Sequence, residues 1–336
     1  MKKILITGAG GFIGGFLVAE ALAAGYETWA GIRASSNRER LQDKRIRFID
    51  LNYAHPDVFT AQIAAFAAAH GRWDYVIHNA GLTKTVNKSD FFRVNALYTR
   101  NLVDALAKAQ CLPQKFLLMS SLSSYGKGDE QTLAPIREGD AQTPDSAYGK
   151  SKLEAECIVR RQTYFPYVIL RPTGVYGPGE KDYFMEIKSI RSGFDFTAGM
   201  RLQNISFVYV KDLAHAVLMA AANETIANVA YFVSDGRKYT DAGFAALIQE
   251  ILGRKRLLRI RIPMPLVFLA CLCSEVVGKI KGRSMTLNLD KFMILRGRNW
   301  TCDAAPLWRD LGAEPAYDLR RGLEESVEWY RREGWL

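Results

Sequence analysis

The stretch Lys2–Gly14, with the sequence KKILITGAGGFIG, decides the fold of this chain of 336 residues. It starts with a short run typical of a buried strand, continues with glycines at positions 8, 11 and 14, and leads into an amphipathic helical pattern. A helix that begins at such a loop offers unpaired N–H groups and the positive end of its dipole to an anion. Strand, loop and helix therefore predict a site for the pyrophosphate of a dinucleotide.

The glycine spacing is G-x-x-G-x-x-G and differs from the G-x-G-x-x-G pattern of the standard dinucleotide fingerprint. A tight turn would also explain a glycine-rich loop taken alone. The position of this loop between a strand and a helix favours the nucleotide interpretation. The contacts are then expected from the loop and the first helical turn: Gly8, Gly10, Gly11, Phe12 and Ile13.

Strand and helix patterns alternate through the first half of the chain. The predicted strands are 3–7, 27–32, 46–50, 75–79, 115–120 and 167–171, and the predicted helices are 14–24, 58–70, 92–109 and 148–164. This alternation predicts an α/β fold with a parallel, doubly wound sheet. The turn-rich segment 171–179 ends it, and a return strand is predicted at 228–234. We expect a nucleotide-binding domain from 1–177 plus about 205–235, and a smaller, mostly helical substrate-binding part from about 178–204 and 236–336.

The end of the second predicted strand bears on the choice of dinucleotide. A ribose 2′-hydroxyl is usually bound there by a carboxylate, whereas a 2′-phosphate is bound by an arginine. The sequence offers Arg33 and Ser35 and no acid. This favours NADP(H), with NAD(H) as the alternative if Arg33 is a solvated surface residue.

Two further segments follow predicted strands and are expected beside the dinucleotide. Asp50 and Leu51 suit the adenine edge, although Asp50 could equally be a cap. Ala80 and Gly81 would allow the backbone to approach the cofactor closely, because neither side chain intrudes.

Tyr148 and Lys152 are four residues apart on a predicted helix and therefore share one face. A nearby ammonium favours the phenolate, so we expect Lys152 to lower the pKa of Tyr148. The serine-rich segment 120–124 follows a predicted strand, and one of its hydroxyls can bind the same substrate oxygen. A cap or turn role is the alternative for each of these serines. The set indicates hydride transfer between a nicotinamide and a carbonyl or alcohol.

Four motifs in combination, TGAGGFIG at 7–14, SSLSSYG at 120–126, YGKSK at 148–152 and RPTGVYGP at 171–178, resemble the extended short-chain dehydrogenases/reductases, the NAD-dependent epimerase/dehydratase family. The resemblance covers essentially the whole chain and implies a Rossmann-type sheet. It implies Ser121 as the donor to the substrate oxygen, Tyr148 as acid and base, and Lys152 bridging the ribose. It also implies cofactor contacts from Pro172 to Val175, and a homodimer formed through helices matching 92–109 and 148–164.

This chain departs from the sugar-nucleotide members of that family at two positions. Dehydratases carry an Asp-Glu pair where this chain has Leu122-Ser123, and many sugar-nucleotide enzymes carry an asparagine where it has Gly174. The order of the C-terminal motifs resembles the 3β-hydroxysteroid dehydrogenase-like branch. We therefore expect a reductase or dehydrogenase acting on a fairly apolar, steroid-like or keto substrate, with a nucleotide-sugar epimerase or reductase as the alternative. Residues expected to line the pocket are Thr83, Lys84, Tyr176, Phe184 and Phe207.

Composition excludes several other classes. The chain has 49% hydrophobic and 24% charged residues, which is ordinary for a globular enzyme. Its five cysteines and four histidines show no metal-ligand spacing, so no metal site is expected, and reduced thiols indicate a cytoplasmic protein. The net charge of +10 is explained by an anionic cofactor or substrate, since no nucleic-acid motif accompanies it.

One apolar segment, 263–277, is too short to span a bilayer, which takes about 20 apolar residues. We expect a buried or pocket-lining helix there. Peripheral membrane contact is the alternative, supported by the basic run 254–261 just before it.

Overall fold

The fold is taken from a computed structural model that describes residues 1–33, 36–283 and 285–336. Ser35, expected near the dinucleotide, lies outside the described residues. The strands are β1 (Lys3–Thr7), β2 (Glu27–Ile32), β3 (Arg47–Asp50), β4 (Tyr75–His78), β5 (Lys115–Met119), β6 (Tyr167–Pro172), β7 (Gly174–Tyr176), β8 (Phe194–Ala198), β9 (Asn204–Ile205), β10 (Phe207–Tyr209), β11 (Val229–Val233), β12 (Tyr239–Thr240), β13 (Leu258–Ile262) and β14 (Asn299–Trp300). The helices are α1 (Phe12–Ala23), α2 (Pro56–His70), α3 (Ser89–Phe91), α4 (Tyr98–Lys108), α5 (Ala147–Arg161), α6 (Asp182–Arg191), α7 (Val210–Ala222), α8 (Asp241–Ile251), α9 (Met264–Ile280), α10 (Leu289–Leu295), α11 (Ala305–Leu311) and α12 (Leu319–Arg332).

A parallel sheet of seven strands, in the order β11-β6-β5-β4-β1-β2-β3, forms the centre of the described structure. The predicted α/β fold with a doubly wound sheet is therefore confirmed. Strand order reverses between β1 and β4, and ligands of such sheets bind beyond the carboxyl ends of the strands at this point. The predicted return strand is β11, which extends the sheet beside β6.

Helices cover both faces of this sheet, which explains why its strands are continuous apolar runs. Side chains of β1 alternate between the two cores: Ile4 and Ile6 pack with α1, α7 and α11, whereas Leu5 packs with α2, α4 and α5. A third core joins α6, α8 and α12. Short two- and three-stranded sheets accompany these later helices, so the second half of the chain is less purely helical than expected.

The helix bounds differ from expectation at two places. A π-helical stretch, Phe92–Leu97, precedes α4, so the predicted helix 92–109 is not a single regular α-helix. Helix α5 ends at Arg161, three residues before the predicted end. The backbone is already extended at Gln162, whose side-chain oxygen accepts the N–H groups of Tyr164 and Phe165 and so stabilises the turn that follows the helix.

The loop after β1 is closely packed. Gly8 has a φ of +65°, a conformation that glycine adopts without strain. A Cβ atom at Gly14 would collide with the Gly8 carbonyl oxygen, so glycine at position 14 lets α1 start directly against the loop.

The expectation of a buried or pocket-lining helix at 263–277 is wrong. Helix α9 buries Val267, Cys271 and Gly278, and most of its other apolar side chains are exposed. A contiguous apolar run predicts burial, but burial depends on what packs against the helix, and here that is mainly the short helix α10. In the part of the chain that the structure describes, no helix combines the length and apolar character needed to cross a membrane.

A buried ion pair joins α5 to β6. The Arg171 guanidinium donates to both carboxylate oxygens of Glu156, from Nε at 2.9 Å and from an Nη atom at 2.7 Å, and both side chains are fully buried. Arg171 also pairs with Glu138. Such bidentate geometry is the arrangement in which a buried pair recovers most of its desolvation cost.

We expect Arg171→Met to lower the free energy of unfolding by about 3–5 kcal/mol, because it leaves two carboxylates without their cation. Urea unfolding measures the loss. The matched control is Arg160→Met, since Arg160 lies 3.6 Å from the same Glu156 carboxylate but is 42% exposed. The Arg160→Met substitution should lower the free energy of unfolding by less than about 1 kcal/mol. Equal losses in the two variants would contradict a special role for the buried pair.

Candidate active site

A large cavity of about 1310 Å³ lies beyond the carboxyl ends of β1, β4, β5 and β6. It reaches from the glycine loop to the elements of the second half of the chain. The predicted site residues that line it are Gly8, Gly10, Gly11, Phe12, Ile13, Arg33, Ala80, Gly81, Ser121, Tyr148, Lys152, Pro172 and Val175. Segments far apart in sequence thus meet at one site, as the sheet topology requires.

Asp50 and Leu51 do not line this cavity. Asp50 is exposed at the end of β3, whereas Leu51 is 1% exposed and packs in the core beneath the sheet, next to Gly31. Tyr53, two residues further on, does line the cavity, and its buried hydroxyl has no hydrogen-bond partner among the described residues. Tyr53 was not expected from the sequence, because the chain after β3 has no pattern that gives the direction of its side chains.

The glycine loop end of the cavity suits an anion. Gly11 is the N-cap of α1 and supplies no side chain to the first N–H groups of the helix, which open towards the cavity. A Cβ atom at Gly10 would lie 2.7 Å from the Asn37 carbonyl oxygen, so glycine allows the loop to pass close to this segment. Unpaired donors, a helix dipole and a backbone without side chains fit the pyrophosphate of a dinucleotide.

Arg33 is exposed at the rim of the cavity, directly after β2. Two nearby arginines are already engaged: Arg38 lies 4.5 Å from the Phe48 ring centre, and Arg40 donates to the Gly179 carbonyl oxygen at 3.0 Å. Among the described residues, Arg33 forms no ion pair. Its guanidinium is therefore available to a ligand at the end of β2.

Tyr148 and Lys152 lie in the first turns of α5, which are capped twice. The Ser146 hydroxyl accepts the Gly149 N–H at 3.0 Å, and the Asp290 carboxylate accepts the N–H groups of Ala147 and Tyr148 at 2.6 and 3.3 Å. Asp290 comes from α10, 142 positions after Tyr148. Sequence reasoning missed it, because no local pattern connects an acid in α10 with a helix in the first half of the chain.

The four serines of 120–124 divide into two pairs. Ser120 and Ser124 are buried and donate to Glu156, so their role is structural. Ser121 and Ser123 line the cavity. The Ser121 hydroxyl also accepts the Ser123 N–H at 3.2 Å, so its position is set by a cap interaction while its oxygen faces the cavity.

Burial raises the pKa of Tyr148, and the Ser121 hydroxyl opposes this to a smaller degree. This differs from the expected lowering by Lys152: desolvation of the phenol is the largest effect, and the only opposing one comes from the Ser121 hydroxyl. Burial lowers the pKa of Lys152 to about 8, with a smaller opposing effect from Glu156. The Lys152 ammonium donates to the Met119 carbonyl oxygen at 2.9 Å, which holds it beside the end of β5.

Asn95, in the π-helical stretch, is a further buried residue that sequence reasoning missed. Its side-chain oxygen accepts the Leu82 N–H at 2.7 Å, and its amide nitrogen donates to the Leu82 carbonyl and the Ser151 hydroxyl. A Cβ atom at Gly81 would lie 3.0 Å from the Asn95 oxygen and 3.1 Å from the Lys152 nitrogen. Asn95 therefore holds the loop after β4 against α5, the helix that carries Tyr148.

The far end of the cavity is apolar and acidic. Of the residues expected there, Thr83 and Phe207 line it, whereas Lys84, Tyr176 and Phe184 do not. Tyr176 is buried and donates to the Asp318 carbonyl, Phe184 packs on Tyr330, and Lys84 pairs with Asp182. Glu186, Asp195 and Asp241 also line this end, and burial together with the two aspartates raises the pKa of Glu186 to about 7.

Gly174 lies on the wall between the two ends. A Cβ atom there would collide with the Tyr183 hydroxyl, which occupies the space in front of this glycine. An asparagine at this position would therefore require Tyr183 to move.

Comparison with curated proteins places the chain among enzymes of several specificities. It is 26% identical to a UDP-glucose 4-epimerase of Vibrio cholerae over 97% of this chain and 95% of that protein. It is 26% identical to a ceramide reductase of Caulobacter vibrioides over 99% of this chain and 96% of that protein. It is also 26% identical to a 3β-hydroxysteroid dehydrogenase/Δ5→4-isomerase of Mycobacterium tuberculosis over 98% of this chain and 90% of that protein.

Solved structures show the same fold. MoeE5, in complex with UDP-glucuronic acid and NAD, superposes with a TM-score of 0.75 at 24% identity and covers 98% of this chain and 99% of its own. The family model of the NAD dependent epimerase/dehydratase family matches residues 4–232. With the glycine loop, the parallel sheet and the Ser-Tyr-Lys set on one cavity wall, this match shows that the chain belongs to the NAD-dependent epimerase/dehydratase family and is an NAD(P)-dependent enzyme of the short-chain dehydrogenase/reductase type.

Proposed function

We propose that the enzyme transfers hydride between NADP(H) and a ketone or secondary alcohol of a fairly apolar substrate. The observation that carries this proposal is the placement of Ser121, Tyr148 and Lys152 on one wall of the cavity, with Leu122 and Ser123 where dehydratases have their acidic pair. The wall offers one proton donor and one hydrogen-bond donor to an oxygen and no carboxylate at these two positions. That set suits carbonyl reduction or alcohol oxidation and lacks the groups for elimination of water.

Each of these residues has a distinct role in this proposal. The nicotinamide supplies or accepts the hydride at the carbinol carbon when bound. Tyr148 gives its phenolic proton to the carbonyl oxygen during reduction and takes it back during oxidation. Ser121 donates a hydrogen bond to the same oxygen and stabilises the negative charge that develops there. Lys152, whose pKa burial lowers to about 8, holds the ribose of the cofactor.

The far end of the cavity supports an apolar substrate over a nucleotide sugar. Asp195 and Asp241 disfavour the diphosphate of a nucleotide sugar, an effect that is reduced by Lys291 on the same wall and by the ion pairs of the two aspartates with Arg259 and Arg261. Tyr183 fills the space that an asparagine at position 174 would need. The ceramide reductase and the steroid dehydrogenase among the relatives act on apolar molecules by their names, whereas the epimerase among them favours the alternative, a nucleotide-sugar epimerase or reductase.

For the cofactor, Arg33 supports NADP(H), because its guanidinium lies at the cavity rim at the end of β2. We assign the pyrophosphate to the glycine loop and the nicotinamide side to Ala80, Gly81 and the stretch from Pro172 to Val175. Ser35 and Asp50 remain proposed contacts at the adenosine end, where Leu51, whose side chain is buried in the core, could contribute only its backbone. NAD(H) is the alternative cofactor.

The division of the chain follows from these assignments. We propose residues 1–177 with about 205–235 as the cofactor-binding part, and about 178–204 and 236–336 as the substrate-binding part. We also propose a cytoplasmic homodimer, in keeping with five free cysteines and with the exposed sides of α4 and α5.

Tyr148→Phe should lower turnover by about 100-fold or more, because general acid–base catalysis contributes about 10²–10⁴-fold. The dissociation constant for NADPH should stay within about threefold. Steady-state reduction of a panel of apolar ketones and fluorescence titration measure the two quantities. The matched control is Tyr164→Phe, an exposed tyrosine on the segment after α5. A variant that keeps a tenth of the wild-type rate would exclude Tyr148 as the proton donor.

Arg33→Ala should weaken NADPH binding by about tenfold to 100-fold and leave NADH binding unchanged, because a hydrogen bond to a charged group is worth about 1.5–3 kcal/mol. Fluorescence titration of the cofactor-stripped protein measures both constants. Arg45→Ala, at an exposed arginine paired with Asp43, is the control. Tighter binding of NADH by the wild type, or NAD that cannot be removed without unfolding, would favour the epimerase.

Lys152→Met should abolish a pH dependence of stability above pH 8. Below pH 8 the lysine is charged in both the folded and the unfolded protein, so the free energy of unfolding is lowered by the full cost of burying this charge. Between about 8 and the unfolded value of 10.5 the folded protein releases the proton and the unfolded chain keeps it. Wild-type stability should therefore rise relative to the variant, by at most about 1.4 kcal/mol per pH unit.

Urea unfolding at pH 7 and pH 9.5 measures this relative rise. Lys150→Met, which removes an exposed lysine from the same helix, is the control. Parallel stability curves for the wild type and Lys152→Met would show that burial does not lower the pKa of Lys152.

A further inference from the structure

Helix α9 presents an apolar side to the solvent. Its buried residues Val267, Cys271 and Gly278 recur at helical spacing and define the inner side. On the remaining surface the exposed fractions range from 37% to 81% for these apolar side chains: Leu266, Phe268, Leu269, Leu272, Val276, Val277 and Ile280. We call this surface the α9 face. A helix on the surface of a globular protein normally carries polar residues there, and contiguous exposed apolar area of this kind marks a contact site.

The apolar surface continues to the mouth of the cavity. Strand β13 leads into α9 through Pro263 and pairs with β8, where Phe194 and Phe196 are exposed and stacked at 5.9 Å between ring centres. These two phenylalanines also line the cavity, as does Leu287, which is 41% exposed and lies just beyond α9 in the chain. Elements on both sides of α9 in the chain thus reach the entrance of the active site.

The charge around this surface is concentrated. Residues 254–283 contain eight lysines and arginines and one glutamate, which gives +7 of the net +10 of the whole chain. Arg259, Arg261 and Lys279 form ion pairs with Asp195, Asp241 and Glu275, so the other five basic side chains carry the charge of this surface. The other 306 residues therefore carry only +3. Lys281 and Arg283 are exposed directly after α9, and Arg254, Lys255 and Arg256 are exposed before β13.

This combination selects among the partners that could cover the α9 face. A second copy of the chain in a twofold contact would place one basic segment against the other, and the like charges would repel. An anionic lipid bilayer complements both features, since apolar side chains enter the headgroup region while basic ones meet the lipid phosphates. A 17-residue helix that does not cross the membrane would lie in the plane of the interface.

We propose that the α9 face, with Phe194 and Phe196, docks on an anionic lipid bilayer and that the substrate is an amphiphilic ketone or alcohol that enters the cavity from the membrane. The docking stands on the exposed apolar and basic surface alone. The nature of the substrate rests on the proposed function. An apolar entrance that faces the bilayer lets such a molecule reach Tyr148 without crossing water.

Sedimentation with sucrose-loaded vesicles tests the docking without any need for catalysis. The wild type should bind vesicles of phosphatidylglycerol and phosphatidylcholine, bind pure phosphatidylcholine less, and lose affinity in high salt. The double variant Leu269→Asp/Val276→Asp should lower the partition coefficient by about tenfold or more. Neutralising Lys281 and Arg283 to glutamine should lower it by about fivefold for each residue.

Matched controls separate docking from general effects on the surface. Val58→Asp changes an apolar residue that is 51% exposed on α2, and Lys44→Gln/Arg45→Gln removes two exposed charges elsewhere. These controls should bind vesicles as the wild type does. All variants should keep the thermal midpoint and the NADPH dissociation constant, because none of the changed residues lines the cavity.

Three results would overturn the proposal: no binding of the wild type to anionic vesicles, equal losses in the α9 and control variants, or an α9 variant that changes the oligomeric mass in sedimentation velocity while keeping vesicle binding. The last result would assign the α9 face to contact between subunits. Loss of vesicle binding together with normal turnover of short water-soluble ketones would support both docking and the proposed chemistry. Vesicle binding without turnover of any ketone would support docking and reject the proposed function.

Discussion

The buried pair of Glu156 and Arg171 is the interaction on which the site depends. It ties the helix that carries Tyr148 and Lys152 to the strand that leads to Pro172. The same carboxylate accepts the hydroxyls of Ser120 and Ser124, so the end of β5 is attached to it as well. Three walls of the cavity therefore converge on one ion pair. Its low-dielectric surroundings make each of these bonds strong and make the loss of any partner costly.

Around this fixed centre the cavity has two chemically different ends. The glycine loop and the start of α1 offer N–H donors and a positive dipole, with Arg33 at the rim. The opposite end has carboxylates and aromatic rings and opens beside exposed apolar residues. An anionic cofactor is therefore favoured at the first end and disfavoured at the second, which leaves the second end to the substrate that we propose.

Local patterns were enough to predict the central sheet and the meeting of Tyr148 and Lys152 with the serine-rich segment 120–124, among whose serines the family resemblance selected Ser121. The glycine loop identified the first strand and helix, and parallel topology brings the ends of β4, β5 and β6 to one edge. What the sequence did not predict depends on distant contacts. Leu51 turned out to be core, and the pKa of Tyr148 moves in the opposite direction, because burial is set by residues far away in the chain. Helix α9 has the composition of a core helix, yet the sequence alone does not show that so little packs against it.

The cap that Asp290 provides for α5 also bears on how the enzyme is assembled during synthesis. The first N–H groups of the helix that carries Tyr148 find their carboxylate only when residue 290 has left the ribosome, long after the seven sheet strands are complete. Glu275 of α9 in turn accepts the Leu289 N–H at 3.0 Å, so the cap is held by the same helix whose other side is exposed. A nascent chain therefore completes the strands of the central sheet before the Asp290 cap of the helix that carries Tyr148 can form.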